Sequence, residues 1–257
     1  LHQLLAAGNT SAKTARLFDP KDAYRTKGRG GRTSLTAGTN LPNGVITHFY
    51  LPEGMEQDSV VLNYHNAAGE VLASYSNKAK ERSKKLPLDK GANTFVWDTR
   101  GTGAERLEGM ILWWANLDGP KAVPGAYKVS MSVGDQTIAT HDFSILADPR
   151  AEASVADMQA QYDFITKVNT TINDAHDAIK NIRDVNAKLS AFMKKYKGDN
   201  AVSDLHSMAK DMKASLETVE KALYQTQNRS GQDPLNFPIR LTNKLGHLNS
   251  LVGLDDF

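Results

Sequence analysis

Ser154–Lys197, SVADMQAQYDFITKVNTTINDAHDAIKNIRDVNAKLSAFMKKYK, is the stretch whose reading decides the fold. Its apolar residues fall at Val155, Met158, Tyr162, Ile165, Val168, Ile172, Ala175, Ile179, Ile182, Val185, Leu189 and Phe192. The steps are threes and fours throughout, which predicts one helix with a continuous apolar seam. Ser154 followed by Asp157 fits a capping box, and Gly198 supplies the stop. Such a helix is about 65 Å long and is not stable without partners along it. Just before it, Ala147-Asp148-Pro149-Arg150 marks a hinge. Upstream of the hinge the pattern is β; downstream it is helical.

On the upstream side the period is two. Val45–Leu51, Ser59–His65, Glu70–Tyr75, Thr94–Asp98, Ala126–Val133 and Gln136–Leu146 read as strands, with Arg16–Phe18 and Ala23–Arg25 as short extended pieces. Asn66-Ala67-Ala68-Gly69 and Gly134-Asp135 read as hairpin turns. Short strands at hairpin spacing, with no crossover helices, predict an immunoglobulin-like antiparallel β-sandwich. On the downstream side a second helix carries Leu205, Met208, Met212, Leu216, Val219 and Leu223 on one stripe. A third presents Leu241, Leu245, Leu248 and Val252, with Pro238 suited to its first turn. Burying these stripes together predicts an up-down-up three-helix bundle with a long first helix, and Met158, Met193, Met208 and Met212 as core. The expected organisation is thus two domains, all-β then all-α. Residues 1–14, with a helical possibility at Leu1–Ala7, are an upstream linker or tail, 15–148 the sandwich and 149–257 the helical bundle.

Composition narrows the function. Across 257 residues, 31 Lys and Arg nearly balance 29 Asp and Glu, for a net charge of +2. Bulk charge gives no case for nucleic acid. There is no apolar run long enough for a membrane span. With no cysteine, thiolate nucleophiles and cysteine-held zinc are excluded.

Four segments appear in a specific order: Leu17–Arg25 (LFDPKDAYR), Phe95-Val96-Trp97-Asp98, Gly119-Pro120 with Pro124-Gly125-Ala126-Tyr127, and Asp233–Pro238 (DPLNFP). Together they resemble the region that follows the β-propeller in bacterial glycosyl-hydrolase-like, sortilin-type propeller proteins. The sandwich is also similar to the immunoglobulin-like domain of flagellar hook-capping proteins. The resemblance implies a propeller before Leu1 and export to the periplasm or cell exterior, and it carries over no catalytic residue.

Candidate chemistry is sparse. The histidines at 2, 48, 65, 141, 176, 206 and 247 show no metal-ligand spacing. His176, between Asp174 and Asp177, reads as part of a solvated helix face. Glu105 and Glu108 near two tryptophans have the composition of a glycosidase pair, but sequence spacing in a loop does not fix their separation. Trp113 and Trp114 are candidates for a sugar-stacking platform or a protein contact. Arg25–Arg32 looks superficially like a phosphate cradle but lacks the P-loop ending. The residues therefore predict a non-catalytic docking module without cofactor or metal. Its expected partner is its own upstream propeller or another protein; the alternatives are a carbohydrate-binding module with a polysaccharide ligand, or part of a glycoside hydrolase whose catalytic residues lie in the upstream propeller. Trp113, Trp114, Glu105 and Glu108 are the contact candidates.

Overall fold

A computed structural model describes residues 14–26, 36, 38 and 41–254. The tail at 1–13, with its helical possibility at Leu1–Ala7, and the Lys27–Arg32 part of the basic loop lie outside the described residues. The described chain holds eight strands in two sheets, followed by three α-helices. The strands are β1 (Arg16–Leu17), β2 (Ala23–Arg25), β3 (Val45–Leu51), β4 (Val60–Asn66), β5 (Val71–Ser76), β6 (Gly91–Trp97), β7 (Gly125–Val133) and β8 (Gln136–Ala147). The helices are α1 (Val155–Lys195), α2 (Ser203–Leu223) and α3 (Leu241–Val252).

Contacts divide the chain into two compact units. The first holds the described residues up to Thr102 together with Pro120–Tyr162; the second holds Gly103–Gly119 and Asp163–Leu254. The segment Gly103–Gly119 therefore groups with the helices and not with the strands on either side of it.

In the first unit, one sheet runs β1-β3-β6 and the other β2-β8-β7-β4-β5. Alternation sends Val45, Thr47, Phe49 and Leu51 of β3 and Val60, Leu62 and Tyr64 of β4 inward. The inward residues of both sheets meet in one buried cluster around Trp97, which is fully buried. The Tyr64 ring stacks on Trp97 at 4.5 Å, and the Tyr64 hydroxyl shares a 2.8 Å hydrogen bond with Thr47 Oγ1. Trp97 Nε1 donates to the Arg100 carbonyl at 2.8 Å, so the indole leaves no polar atom unpaired. Asp98 accepts from the Arg100 amide at 3.1 Å, capping the turn that follows.

The pairing is not antiparallel throughout. β2 runs parallel to β8, with Tyr24 opposite Leu146. After β1 the turn through Pro20 carries the chain from the first sheet to the edge of the second, where it runs in the direction of β8. Asp22 fixes this position by accepting from the Ser144 amide at 2.7 Å. Arg25, at the end of β2, is 1% exposed. Its guanidinium donates to the carbonyls of Lys121 (3.1 Å) and Ala122 (3.0 Å) and to Gln161 Oε1 (2.5 Å). The first residue of the basic loop is thus a buried tie within the unit.

The helix α1 begins as its sequence predicts. The Ser154 amide donates to Asp157 Oδ2 at 3.0 Å and the Asp157 amide to Ser154 Oγ at 3.2 Å, a reciprocal capping box. Met158, Ile165, Val168, Ile172, Ala175, Ile179 and Ile182 are buried along the expected seam. The helix ends before Gly198, whose φ of 83° is the left-handed conformation glycine adopts freely.

The other two helices depart from expectation. In α2, Leu205, Met208, Met212 and Val219 are exposed. The half-buried side is His206, Lys213, Leu216, Glu220 and Leu223, with Ala209 buried. Met208 and Met212 are therefore surface residues, not core. In α3 the buried face is Thr242, Asn243, Gly246 and Asn249, while Leu241 and Leu248 are exposed. Pro238 is not in the first turn of α3, which starts at Leu241. Its carbonyl accepts from Gln225 Nε2 at 2.8 Å, which holds the connector extended ahead of the helix. The inward face of α3 is polar because it packs against irregular backbone, whereas the inward polar groups of α2 bond α1 and the turn that ends it.

Candidate functional site

That irregular backbone is Gly103–Gly119. A segment without ladder hydrogen bonds must find partners for each buried amide and carbonyl elsewhere. Here side chains of α1 and α3, and of Tyr224 just after α2, provide them. Asn173 Oδ1 accepts from the Glu105 amide (2.7 Å), and His176 Nδ1 bonds the Glu105 carbonyl (2.7 Å). The Tyr224 hydroxyl accepts from the Ile111 amide (3.2 Å). Asn243 closes a two-point clamp on Trp113, accepting from its amide (2.8 Å) and donating to its carbonyl (3.0 Å). Ser250 Oγ accepts from the Asn116 amide (3.0 Å). Asn169 and Asn249 both donate to the Asp118 carbonyl (2.9 and 3.0 Å), and Asn249 also donates to Asn169 Oδ1 (2.8 Å).

Two glycines permit the close approach. A Cβ on Gly103 would meet the Leu117 carbonyl oxygen at 2.1 Å, where the base of the segment closes. A Cβ on Gly246 would sit 3.0 Å from the Asn116 carbonyl oxygen, so a side chain there would push α3 and the segment apart by a few tenths of an ångström. Leu107 and Met110 turn inward with Ile179, and Leu112, Leu117, Leu223 and Tyr224 pack against them. The segment thus supplies most of this unit's apolar cluster.

The locked backbone presents Trp114. Its side chain is 76% exposed and its φ is 50°, a left-handed conformation that a bulky residue adopts only at a cost of roughly 1–3 kcal/mol. Trp113 is half-buried, and the two rings lie 6.3 Å apart with a 31° tilt. The pair forms one continuous aromatic surface with Trp114 outermost.

The two carboxylates do not share a site. Glu105 Oε2 pairs with Lys180 Nζ at 3.1 Å, and Lys180 also bonds Asp177 at 2.9 Å. Glu108 instead lines a groove of about 530 Å³ with Arg183, Glu217, Glu220 and Tyr224. There Arg183 Nε bonds Glu220 Oε1 at 2.8 Å, and the guanidinium lies 5.7 Å from the Tyr224 ring centre. Among the described residues, no group of three or more His, Asp or Glu side chains is placed to hold a metal ion.

His176 is not on a solvated face. It is fully buried beneath Glu105, with Nε2 buried and without a hydrogen-bond partner. Burial holds its pKa below the usual imidazole value, and Lys180 adds to the effect, against the opposing bond to the Glu105 carbonyl. The residues that sequence reasoning missed are the clamping amides Asn169, Asn173, Asn243 and Asn249. Their signal was available: asparagine is a poor helix former, and Asn169 and Asn173 sit four apart on α1.

No helix among the described residues is long and apolar enough to cross a membrane. No protein-family model matches the chain, and no curated protein matches it.

Proposed function

We propose that this chain is a non-catalytic docking module that presents Trp114 to a protein partner. The observation that carries the reading is the combination at one residue of high exposure, a strained left-handed backbone and a clamp on its neighbour. An exposed indole is unfavourable in water, and so is its φ; a structure that over-determines both spends stability on keeping one aromatic anchor in place. Pre-organisation of that kind lowers the ordering cost of binding.

In this reading the strand unit is an immunoglobulin-like sandwich that acts as scaffold. Two features support it: the buried Trp97, and the Tyr127 hydroxyl that donates to the Val123 carbonyl at 2.5 Å, four residues upstream, as in a tyrosine corner. The helical unit is a bundle reorganised around the Trp-bearing segment. The module is the region following the propeller of an exported glycosyl-hydrolase-like, sortilin-type protein, and that propeller is its partner. The resemblance of Leu17–Arg25, Phe95–Asp98, Gly119–Tyr127 and Asp233–Pro238 motivates this assignment.

A second reading, a carbohydrate-binding module, draws on the small tilt between the Trp113 and Trp114 rings, which suits stacking against a sugar face. One comparison tests both. The polypeptide encoded immediately upstream of Leu1 and a panel of bacterial and plant polysaccharides are each titrated with the wild-type chain and with Trp114→Ala. Docking predicts binding to the upstream polypeptide that the variant loses at least tenfold. Loss of polysaccharide binding instead selects the second reading, and unchanged binding in both arms rejects Trp114 as the anchor.

A further inference from the structure

The buried seam of α1 runs through Ile165, Val168, Ile172, Ala175, Ile179 and Ile182, at alternating steps of three and four. The next position in that rhythm is Asn186, where a carboxamide stands in place of an apolar side chain. Its Oδ1 is buried and receives no hydrogen bond from the described residues. Asn228, in the connector after α2, is 8% exposed, and its Oδ1 is likewise buried and unpartnered. Both residues line the groove of about 530 Å³ that Glu108 borders. Buried polar groups nearly always have a hydrogen-bond partner, so two exceptions on the wall of one groove point to a ligand there.

We infer that this groove grips the main chain of an extended peptide segment of a partner protein. The occupant follows from what asparagine does elsewhere in the same unit. Asn169, Asn173, Asn243 and Asn249 all direct their carboxamides to the irregular backbone of 103–119, and Asn243 takes both the amide and the carbonyl of Trp113. A carboxamide carries one acceptor oxygen and one donor nitrogen, which complement the N–H and C=O of a peptide unit. Asn186 and Asn228 offer the same groups, and no backbone among the described residues engages their oxygens. The last torsion of asparagine is soft, so each can turn its oxygen to an incoming amide and its nitrogen to the adjoining carbonyl.

Charge agrees with a main-chain ligand. Arg183 pairs with Glu220 at 2.8 Å and Lys221 with Glu217 at 3.5 Å. Arg229 donates to the carbonyls of Thr226 and Asn228 at 3.1 and 3.3 Å. With Glu108 the lining holds three acidic and three basic side chains. It therefore has no net charge to draw an ionic ligand, and it suits an uncharged chain of amides.

A phage library of random linear peptides, selected on the full 257-residue chain, supplies the probe. Enriched peptides are synthesised and titrated by fluorescence polarisation. Their dissociation constant should rise at least about tenfold in Asn186→Leu and in Asn228→Ala. N-methylation of one peptide amide should weaken binding as much, whereas raising the salt should change it less than about twofold. Asn186→Leu completes the apolar seam, so its urea midpoint should equal or exceed that of the wild type; a lower midpoint makes the asparagine structural and overturns the inference. The absence of enriched peptides overturns it too, as does equal affinity for wild type and Asn186→Leu. A saccharide ligand lost in Asn186→Leu, with no peptide bound, replaces it. The groove lies at Glu108 and not at Trp114, so the two sites fail separately: Trp114→Ala tests the anchor and Asn186→Leu the groove.

Discussion

Asn243→Ala is the sharpest perturbation of the proposed presenting segment. Asn243 is 7% exposed, and its side-chain amide satisfies both the amide and the carbonyl of Trp113 at 2.8 and 3.0 Å. Truncation leaves two polar backbone groups at a half-buried position without their partners, at about 1–3 kcal/mol each. Part of that is recovered, because the freed segment can relax the left-handed φ of 50° at Trp114, worth roughly 1 kcal/mol or more. The net expectation is a local opening free energy lowered by about 2–4 kcal/mol, or roughly 30- to 1000-fold faster exchange of the segment's protected amides. Hydrogen-exchange mass spectrometry on peptides covering 110–117 reads this directly. Peptides from β4 and β7 should be unchanged, as those strands lie in the other compact unit. The variant should also lose affinity for the module's partner while keeping the Trp114 ring, because the cost of ordering the segment is then met at binding. An exchange increase under threefold, or an increase spread evenly over all peptides, refutes the view that this clamp holds the segment.

Three other perturbations probe different parts of the same structure. Trp114→Gly should be neutral or stabilising in urea titration, by up to about 1 kcal/mol, because glycine takes positive φ without strain; a loss above 1 kcal/mol means the indole is structural, not presented. Arg25→Met should destabilise the strand unit by about 3 kcal/mol or more, measured by the same titration, since three acceptors on Lys121, Ala122 and Gln161 lose a charged donor; a change within 0.5 kcal/mol contradicts its role as a tie. For His176 the sign follows from burial. Its folded pKa is below the unfolded value near 6.5, so the neutral form's contribution is complete above pH 6.5 and is lost as pH falls toward the folded pKa. Beneath Glu105, with Asp177 and Lys180 as the nearest charges, protonation leaves a buried imidazolium with Nε2 unpartnered. Stability of the helical unit should therefore drop between pH 7 and 5, and His176→Asn should flatten that slope while keeping an N–H for the Glu105 carbonyl.

The parts of the fold legible in sequence are those in which one periodic rule acts alone. β3, β4 and β7 alternate because one face of each is buried, and Val45, Phe49, Leu62, Tyr64, Val129 and Met131 lie on those faces. The seam of α1 is legible for the same reason at period 3.6, as is the Ser154–Asp157 cap. The parallel seating of β2 was not legible: three residues carry no record of which edge they join, and the deciding contact is between Asp22 and Ser144, 122 positions apart. The Trp113–Trp114 pair was singled out from sequence, but the exposure that distinguishes Trp114 from Trp113 depends on a clamp 130 positions away.

The failure in α3 has a definite cause, and it bears on function. Reading an apolar stripe as a core face assumes that the surface opposite is also apolar. In the helical unit the surface opposite α3 is the peptide backbone of 103–119, and a backbone recruits amides, hydroxyls and a bare glycine. Asn243, Gly246 and Asn249, at steps of three, are that recruitment written along one helix face, while Thr242 beside them bonds the Leu223 carbonyl. A face of poor helix formers inside a helix is costly unless each makes a bond there, and Asn243 and Asn249 make two each. The helices therefore give up part of an ordinary apolar interior to hold one irregular segment in one shape.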